Sequence, residues 1–296
     1  MSELSIIIPT LNALRYLPAC LASIQKSDLP APSPEVIVID NGSCDGTRDF
    51  LASHSPIPVT WRSNATNTGF SAACNQGAAL ASGRTLLFLN PDVELDSDCL
   101  RLCLEYIRER ESVGVLGCRL RFPDGRYQKS AGLMRSFANE FREKRTQRRL
   151  RAGDWTRDPL AVCAEPQRVD WLSAAVMFIR ADLFRDLGGF DTGFFAYFED
   201  IDLCVRAAKR GRLVVYYPSA GAIHVLGASA GNRARANQIY RASQLRFYEK
   251  HHGGLNLLAL RVYLGLLRVG DLLRHCSGWL PKSRPLAAPE SKEANR

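Results

Sequence analysis

Apolar runs alternate with helical patterns from residue 4 to residue 122. LSIIIPT (residues 4–10) reads as a β run stopped by Pro9. Positions 16–26 set Leu17, Cys20, Leu21 and Ile24 at helical spacing. EVIVID (35–40) is a second buried strand, ended by Asn41-Gly42. A short helix fits 47–53 and a third strand 59–62. An Ala-rich helix fits 70–82, closed by Gly83, and RTLLFLN (84–90) is a fourth strand. A helix is expected over 99–110 and a strand over 113–122. Strands and helices at this interval imply crossover units and a largely parallel sheet. Strands this apolar belong to a sheet covered on both faces.

After residue 151 the pattern changes. Residues 169–180 form one apolar stretch containing Trp171, and 183–189 ends in Gly-Gly. Residues 194–209 are aromatic, then acidic, then helical, and 213–217 is a short strand. From 232 to 280 the chain reads as Arg-rich helices, and 281–296 as a disordered tail. The expected division is a main domain over 1–231, with a basic loop at about 137–160, and then a helical extension over 232–280. Within that extension, 255–273 is apolar but interrupted by Arg261, Arg268 and Asp271. Such a helix suits the headgroup plane of a membrane, the protein's own core or a second subunit of a homodimer. No apolar stretch is long enough to span a bilayer, which needs about eighteen residues.

Composition adds little to the fold and more to the partners. Of 296 residues, 46% are hydrophobic and 23% charged, ordinary for a globular protein. The net charge of +9 is concentrated in FANEFREKRTQRRLR (137–151) and again from Arg233 onward. Anionic partners or a solvated loop both account for this. Nine cysteines without a CxxC pair read as buried thiols of a reducing, cytoplasmic compartment. The start carries no pattern of a secretory signal.

In open α/β sheets, ligands bind beyond the carboxyl ends of the strands. Three strand ends here carry polar groups: Pro9-Thr10-Leu11-Asn12, Asp40-Asn41-Gly42-Ser43 and Asn90-Pro91-Asp92. A carboxylate such as Asp92 on that rim can bind a hard divalent cation, although NPD is also an ordinary turn. Asp40 can hydrogen-bond a base or ribose, or build an Asx turn with Asp45 as the helix cap. Asn67-Thr68-Gly69 allows close backbone approach to a ligand, with Asn75 projecting from the helix that it opens. Further on, Glu199, Asp200 and Asp202 follow Phe194, Phe195, Tyr197 and Phe198. Aromatic faces suit sugars, and Glu199 or Asp200 could serve as general base on a hydroxyl. Acids at a helix N-terminus also complement its dipole. His224 follows a strand, where a metal role or a purely structural one is open.

The segments SIIIPTLN, VIVIDNGSCDGT, NTGFSAACNQG, FLNPDVEL, GGFDTGFFAYFEDIDLCVRAAKRG and HVLGAS occur in the order seen in family 2 glycosyltransferases. The resemblance covers about residues 4–275. Within the family the chain resembles the bacterial rhamnosyltransferase group that builds cell-surface polysaccharides. The resemblance implies a GT-A fold, a mostly parallel central sheet flanked by helices. It implies inverting transfer from a nucleotide-diphospho-sugar, dTDP-rhamnose first and a UDP-sugar second, with Mg2+ or Mn2+. The implied acceptor is a glycan or polyprenyl-diphosphate-linked sugar. Pro9, Thr10, Asn12, Asp40, Gly69, Asn75 and Asn90 would serve the nucleotide-sugar, and Trp171 and Tyr197 the acceptor. Asp92 and His224 would hold the metal, with Asn90-Pro91-Asp92 standing for the family's Asp-x-Asp. Asp200 would be the base, with Glu199 beside it. Two departures stand out: Ala13, where many relatives carry Glu, and Ala174-Ala175, where Gly-Ala is usual.

Other classes fit less well. PTLNAL is no Gly-rich phosphate loop, which excludes a Rossmann oxidoreductase. A non-catalytic nucleotide-sugar binder predicts loss of the base or metal acid, and both positions are filled. No nucleic-acid-binding module accompanies the basic block.

Overall fold

The computed structural model describes residues 2–28, 33–136, 158–226 and 233–276, with positions 139, 145–146, 148–149 and 154 between them. The basic loop expected at 137–160 lies mostly outside the described residues, and the tail at 281–296 wholly so.

The first half of the chain runs β1 (Leu4–Thr10), α1 (Leu17–Gln25), β2 (Glu35–Asp40), α2 (Thr47–Ser53), β3 (Thr60–Ser63), α3 (Phe70–Leu80) and β4 (Thr85–Leu89). It continues through β5 (Val93–Leu95), α4 (Cys99–Glu109), β6 (Val113–Arg121), β7 (Tyr127–Gln128) and β8 (Ala131–Gly132). Then follow α5 (Pro159–Val162), β9 (Gln167–Arg168), β10 (Trp171–Leu172), β11 (Val176–Arg180), α6 (Ala181–Asp186) and α7 (Glu199–Lys209). The last elements are β12 (Leu213–His224), α8 (Arg233–His251) and α9 (Gly254–Cys276).

Among the described residues one large sheet has the order β3-β2-β1-β4-β11-β6-β12-β5, with β7 beside β6 and β9 beside β12. β3, β2, β1 and β4 are parallel, as are β6 and β12. β11 runs against both of its neighbours. The chain winds outward from β1 through β2 to β3, then returns to place β4 on the other side of β1. That reversal opens a crevice at the carboxyl ends.

Alternating side chains on each strand feed two cores. Ile6, Ile8, Leu87, Leu89 and Phe178 face α1 and α4. Ile7, Leu86, Phe88, Met177 and Ile179 face the layer that holds Cys74, Phe184, Leu203 and Phe247. Both faces being covered explains why β1 and β4 are buried throughout. Leu17, Cys20, Leu21 and Ile24 are the buried side of α1, as their spacing predicts. Gly77 lets α3 lie close on the sheet, because a Cβ there would meet Ile7 Cγ2 at 2.4 Å. Cys20, Cys74, Cys99, Cys103, Cys118 and Cys204 are free buried thiols, in keeping with the composition.

The apolar stretch 169–180 holds two strands. It breaks at Ser173–Ala175, and β10 leaves the main sheet to pair with β8. One segment departs from the pattern reading. The strand expected at 213–217 continues to His224. Pro218 lacks the donor that a regular ladder needs, but the register shifts between Tyr217 and Gly221 and pairing with β6 resumes at Arg119. Gly221 is required there, since a Cβ would lie 2.5 Å from Asp96 Oδ2 and 2.7 Å from Arg121 Nη1. Those two groups form a bidentate pair at 2.8 Å. The resumed strand carries His224 opposite Val93 on β5.

Candidate active site

The side of the crevice expected to take the nucleotide is built at the ends of β1 and β2. Asn12 has φ 49°, a left-handed conformation that Asn tolerates. Its N–H donates to Ser43 Oγ at 2.8 Å, and its Oδ1 accepts from the Cys44 N–H at 2.9 Å. Asp40 is fully buried. Its carboxylate accepts from the Ser43 N–H at 3.2 Å and from Ser63 Oγ at 2.8 Å, with Arg48 Nε at 4.0 Å. Asp40 therefore fixes the turn at whose edge a base would sit. Asp45 accepts from the Leu14 and Thr47 N–H groups, tying the loop after β1 to α2.

Asn41 is a hub that sequence reasoning passed over. Its Nδ2 donates to Gly69 O at 3.1 Å, and its Oδ1 accepts from Asn64 Nδ2 at 2.8 Å and Thr68 Oγ1 at 2.9 Å. The only signal was an Asn directly after a buried strand.

Gly69 and Asn75 are engaged by protein where ligand contacts were expected. Gly69 has φ 89°, and a Cβ there would lie 2.6 Å from Phe195 O. The backbone it admits is that of Phe195, whose carbonyl accepts from the Phe70 N–H at 2.8 Å. Asn75 Nδ2 donates to Phe190 O at 2.8 Å, and its Oδ1 accepts from the Phe190 N–H at 2.9 Å. Ser71 Oγ adds a bond to Phe194 O at 2.7 Å. The start of α3 is thus stitched to the aromatic segment that leads into α7.

A second corner forms where β4 ends beside β12. His224 Nε2 lies 3.2 Å from Asp92 Oδ1 and 3.5 Å from Asn90 Nδ2. His224 Nδ1 lies 2.8 Å from Gln128 Oε1. All of Asp92, His224 and Gln128 are buried. With Nδ1–H donated to Gln128, Nε2 presents a lone pair next to a carboxylate oxygen. Two acceptors at that separation suit a shared cation. Neighbouring ligands on an octahedral ion at about 2.1 Å stand about 3 Å apart. Among the described residues no three His, Cys, Asp or Glu side chains converge to hold a metal. The pair therefore fits Mg2+ or Mn2+ that keeps water and substrate phosphate as its other ligands.

The third corner is the N-terminus of α7. Tyr197 and Phe198 enter it at φ 68° and 67°, an uncommon conformation for aromatic residues. Such strain clusters where a side chain must be aimed. Asp200 is half-buried, and its Oδ2 accepts from the Ala174 N–H at 3.2 Å and its Oδ1 from the Ile201 N–H at 2.8 Å. Burial raises its pKa above the ordinary aspartate value, opposed by those two bonds and the charge of Arg135. Glu199 is buried, and its Oε2 has no hydrogen-bond partner among the described residues. Burial first, and the adjacent Asp200 second, push its pKa well up. Burial thus favours the protonated form of Glu199, and Asp200 is the more accessible carboxylate. Asp202, the third acid, is completely buried and ion-paired to Arg206, Lys250 and His251.

The acceptor residues named from sequence part company. Tyr197 is exposed, edge-on to Tyr240 of α8 at 5.7 Å. Trp171 is buried, with the Arg135 guanidinium 4.9 Å above its ring. Its role here is to support Arg135, because its own face is covered.

The turn between β10 and β11 joins the second and third corners. Ala174 N–H holds Asp200, and Ala175 O accepts from the Asn90 N–H at 3.0 Å. One short turn therefore spaces Asp200 from the Asn90–Asp92 segment.

Comparison with known proteins gives the family and the fold. An N-acetylglucosaminyl-diphospho-decaprenol L-rhamnosyltransferase of Mycobacterium tuberculosis is 28% identical over 238 residues, 74% of this chain and 76% of that protein. Rhamnosyltransferase WbbL of Escherichia coli K12 is 29% identical over 161 residues, 53% of this chain and 57% of that protein. The crystal structure of GalNAc-T7 with UDP, GalNAc and Mn2+ superposes with a TM-score of 0.60 at 17% identity, over 84% of this chain and 50% of that one, which shows a shared GT-A fold. The glycosyl transferase family 2 model matches residues 5–162, and that of glycosyl transferase family group 2 matches residues 87–276. The chain belongs to glycosyl transferase family 2, and glycosyl transfer is its chemistry.

Proposed function

We propose that this protein transfers rhamnose from dTDP-rhamnose, with inversion, to a glycan or sugar on a polyprenyl diphosphate at the inner face of the cytoplasmic membrane. The observation that carries the transfer chemistry is the Ser173–Ala175 turn, which holds Asp200 on one side and Asn90 on the other. The decaprenol-linked substrate in the name of the mycobacterial relative supports the acceptor.

Asp200 takes the proton of the acceptor hydroxyl as its oxygen bonds to the anomeric carbon. The bond from that carbon to the diphosphate oxygen breaks, and the nucleoside diphosphate departs from the opposite face. No enzyme nucleophile is required, so one ionised carboxylate suffices. Asp92 and His224 would hold Mg2+ or Mn2+, which neutralises charge on the leaving diphosphate. Thr10, Asn12 and Asp40 line the nucleotide end. Tyr197 offers an exposed ring beside the base for the acceptor sugar.

A UDP-sugar is the second donor reading, favoured by the UDP in the GalNAc-T7 structure. A panel of nucleotide-sugars assayed for nucleotide release, with and without chelator, tests both. Release from dTDP-rhamnose that needs Mg2+ or Mn2+ and an acceptor is expected. Preference for a UDP-sugar transfers the reading to the second donor, and chelator-insensitive turnover removes the metal.

A further inference from the structure

Helix α9 has two apolar faces, and among the described residues only one of them is covered. Leu260 is fully buried, and Leu257, Tyr263 and Leu264 pack beside it against the core that holds Phe247 and Tyr248 of α8. Leu255, Leu258, Val262, Leu266 and Val269 are between 53% and 84% exposed. Their spacing of three and four residues keeps them within an arc of about 80° on the other face, a stripe about 21 Å long. A single exposed leucine is unremarkable, whereas five in register mark a contact surface.

We propose that this stripe docks the protein on an anionic lipid surface. Charge selects the occupant. Residues 233–276 carry eight Lys and Arg against two acids, and after Arg246 pairs with Asp191 and Lys250 with Asp202 a net charge of +4 remains. A second copy on the same stripe would oppose two basic surfaces. An anionic leaflet attracts them. Among the described residues no helix is long and apolar enough to cross a membrane. α9 therefore lies in the headgroup plane, its exposed stripe toward the acyl chains and its inner face on the protein.

The docked helix is continuous with the site. α8 immediately precedes it and grips the aromatic segment before Asp200. Ser243 Oγ donates to Ala196 O at 2.7 Å, Arg246 pairs with Asp191 at 3.0 Å, and Tyr240 packs on Phe198 at 5.2 Å. Seating α9 on a leaflet thus holds the base at a fixed height above it, within reach of a substrate confined to that plane. The inference stands on α9 itself; only its use in catalysis rests on the lipid-linked acceptor.

The test is co-sedimentation of the full chain with phosphatidylglycerol-containing and with pure phosphatidylcholine vesicles, at low and high salt. Binding to the anionic vesicles that weakens with salt is expected. Val262→Glu with Leu266→Glu should lower the bound fraction about tenfold or more. Val162→Glu, an exposed apolar residue elsewhere, should leave it unchanged. Should the double Glu variant fail to fold by circular dichroism, Val262→Ser with Leu266→Ser replaces it. An intact protein that ignores anionic vesicles, or a stripe variant that binds as before, overturns the proposal. A dimer in sedimentation equilibrium that the same substitutions dissociate without lipid also overturns it, in favour of self-association. Nucleotide release with a water-soluble acceptor is measured alongside, and its loss in the unmodified protein would count against the transfer reaction alone.

Discussion

His224 Nε2 stands 3.2 Å from Asp92 Oδ1 while its other nitrogen faces Gln128 Oε1 at 2.8 Å. These groups come from β12, the end of β4 and β7, so the corner exists only in the folded sheet. Gln128 sets which imidazole nitrogen is free to meet a cation beside Asp92. Asp92→Ala is expected to abolish metal-dependent donor binding with the fold retained. Calorimetry of nucleotide-sugar with Mn2+ checks this, and unchanged metal-dependent affinity would remove Asp92 from the site.

Gln128→Leu should act through His224 alone. It keeps the volume and removes the acceptor. Metal affinity should fall about 10–100-fold, the usual scale for a partner that orients a ligand. Gln128→Asn or Gln128→Glu, which keep an acceptor oxygen, should recover part of it. A Leu variant with unaltered Mn2+ affinity would show that the contact carries no orienting role.

Adjacent acids on α7 should behave differently. Asp200→Asn is expected to bind donor and to lose transfer by at least about a hundredfold. Glu199→Gln should retain turnover within about threefold, because burial favours the uncharged form of the native side chain and the amide is its neutral isostere. The opposite ranking would move the base to Glu199. Because burial raises the Asp200 pKa against its two backbone hydrogen bonds and the charge of Arg135, the acid limb of kcat/KM should lie above the ordinary aspartate range.

Stability should report on Glu199 as well. Its raised pKa means that the folded chain holds the proton more tightly than the unfolded chain. That stabilisation is complete below the ordinary glutamate pKa and is lost as pH rises toward the raised value. From about pH 5 to about pH 8 the wild type should lose more thermal stability than Glu199→Gln. Parallel pH profiles for the two proteins would refute the buried neutral acid.

Much of this was legible from the chain, for physical reasons that differ by element. β1, β2 and β4 are short apolar runs closed by turn residues, a local pattern that needs no partner to be read. β12 was cut short because Pro218 to Gly221 looks like a turn, and only pairing on both sides of the bulge shows a continuous strand. β5 is three residues long and carries no periodicity. Within the candidate site, Asp200, Asp92 and His224 were singled out through motif resemblance. The partners of Asn75 and Gly69 were not, because Phe190 and Phe195 lie more than a hundred positions away. Gln128 carries no local signal, since its meaning comes from a histidine 96 residues later.

The helices after residue 232 also hold the catalytic segment, through Asp202. Its carboxylate is completely buried and meets Arg206 Nε at 2.7 Å, Lys250 Nζ at 2.7 Å and His251 Nε2 at 2.8 Å. One acid of α7 therefore ties Lys250 and His251 of α8 to its own helix. Burial alone would raise its pKa, but the bonds from His251 and Lys250 and the charge of Arg206 win, and the pKa is lowered. A lowered carboxylate pKa stabilises the fold above the ordinary aspartate value, and that contribution is lost as pH falls below it. Asp202→Leu leaves cations facing carbon and should destabilise by about 3–5 kcal/mol, the cost of breaking a buried pair. Asp202→Asn should fall between, because it keeps acceptor capacity and loses the charge. Urea unfolding at neutral pH measures both. Transfer should decline in step with stability and recover at lower temperature, since Asp202 has no part in proton transfer. A stable Asp202→Asn protein with hundredfold lower turnover would instead place this acid in the chemistry.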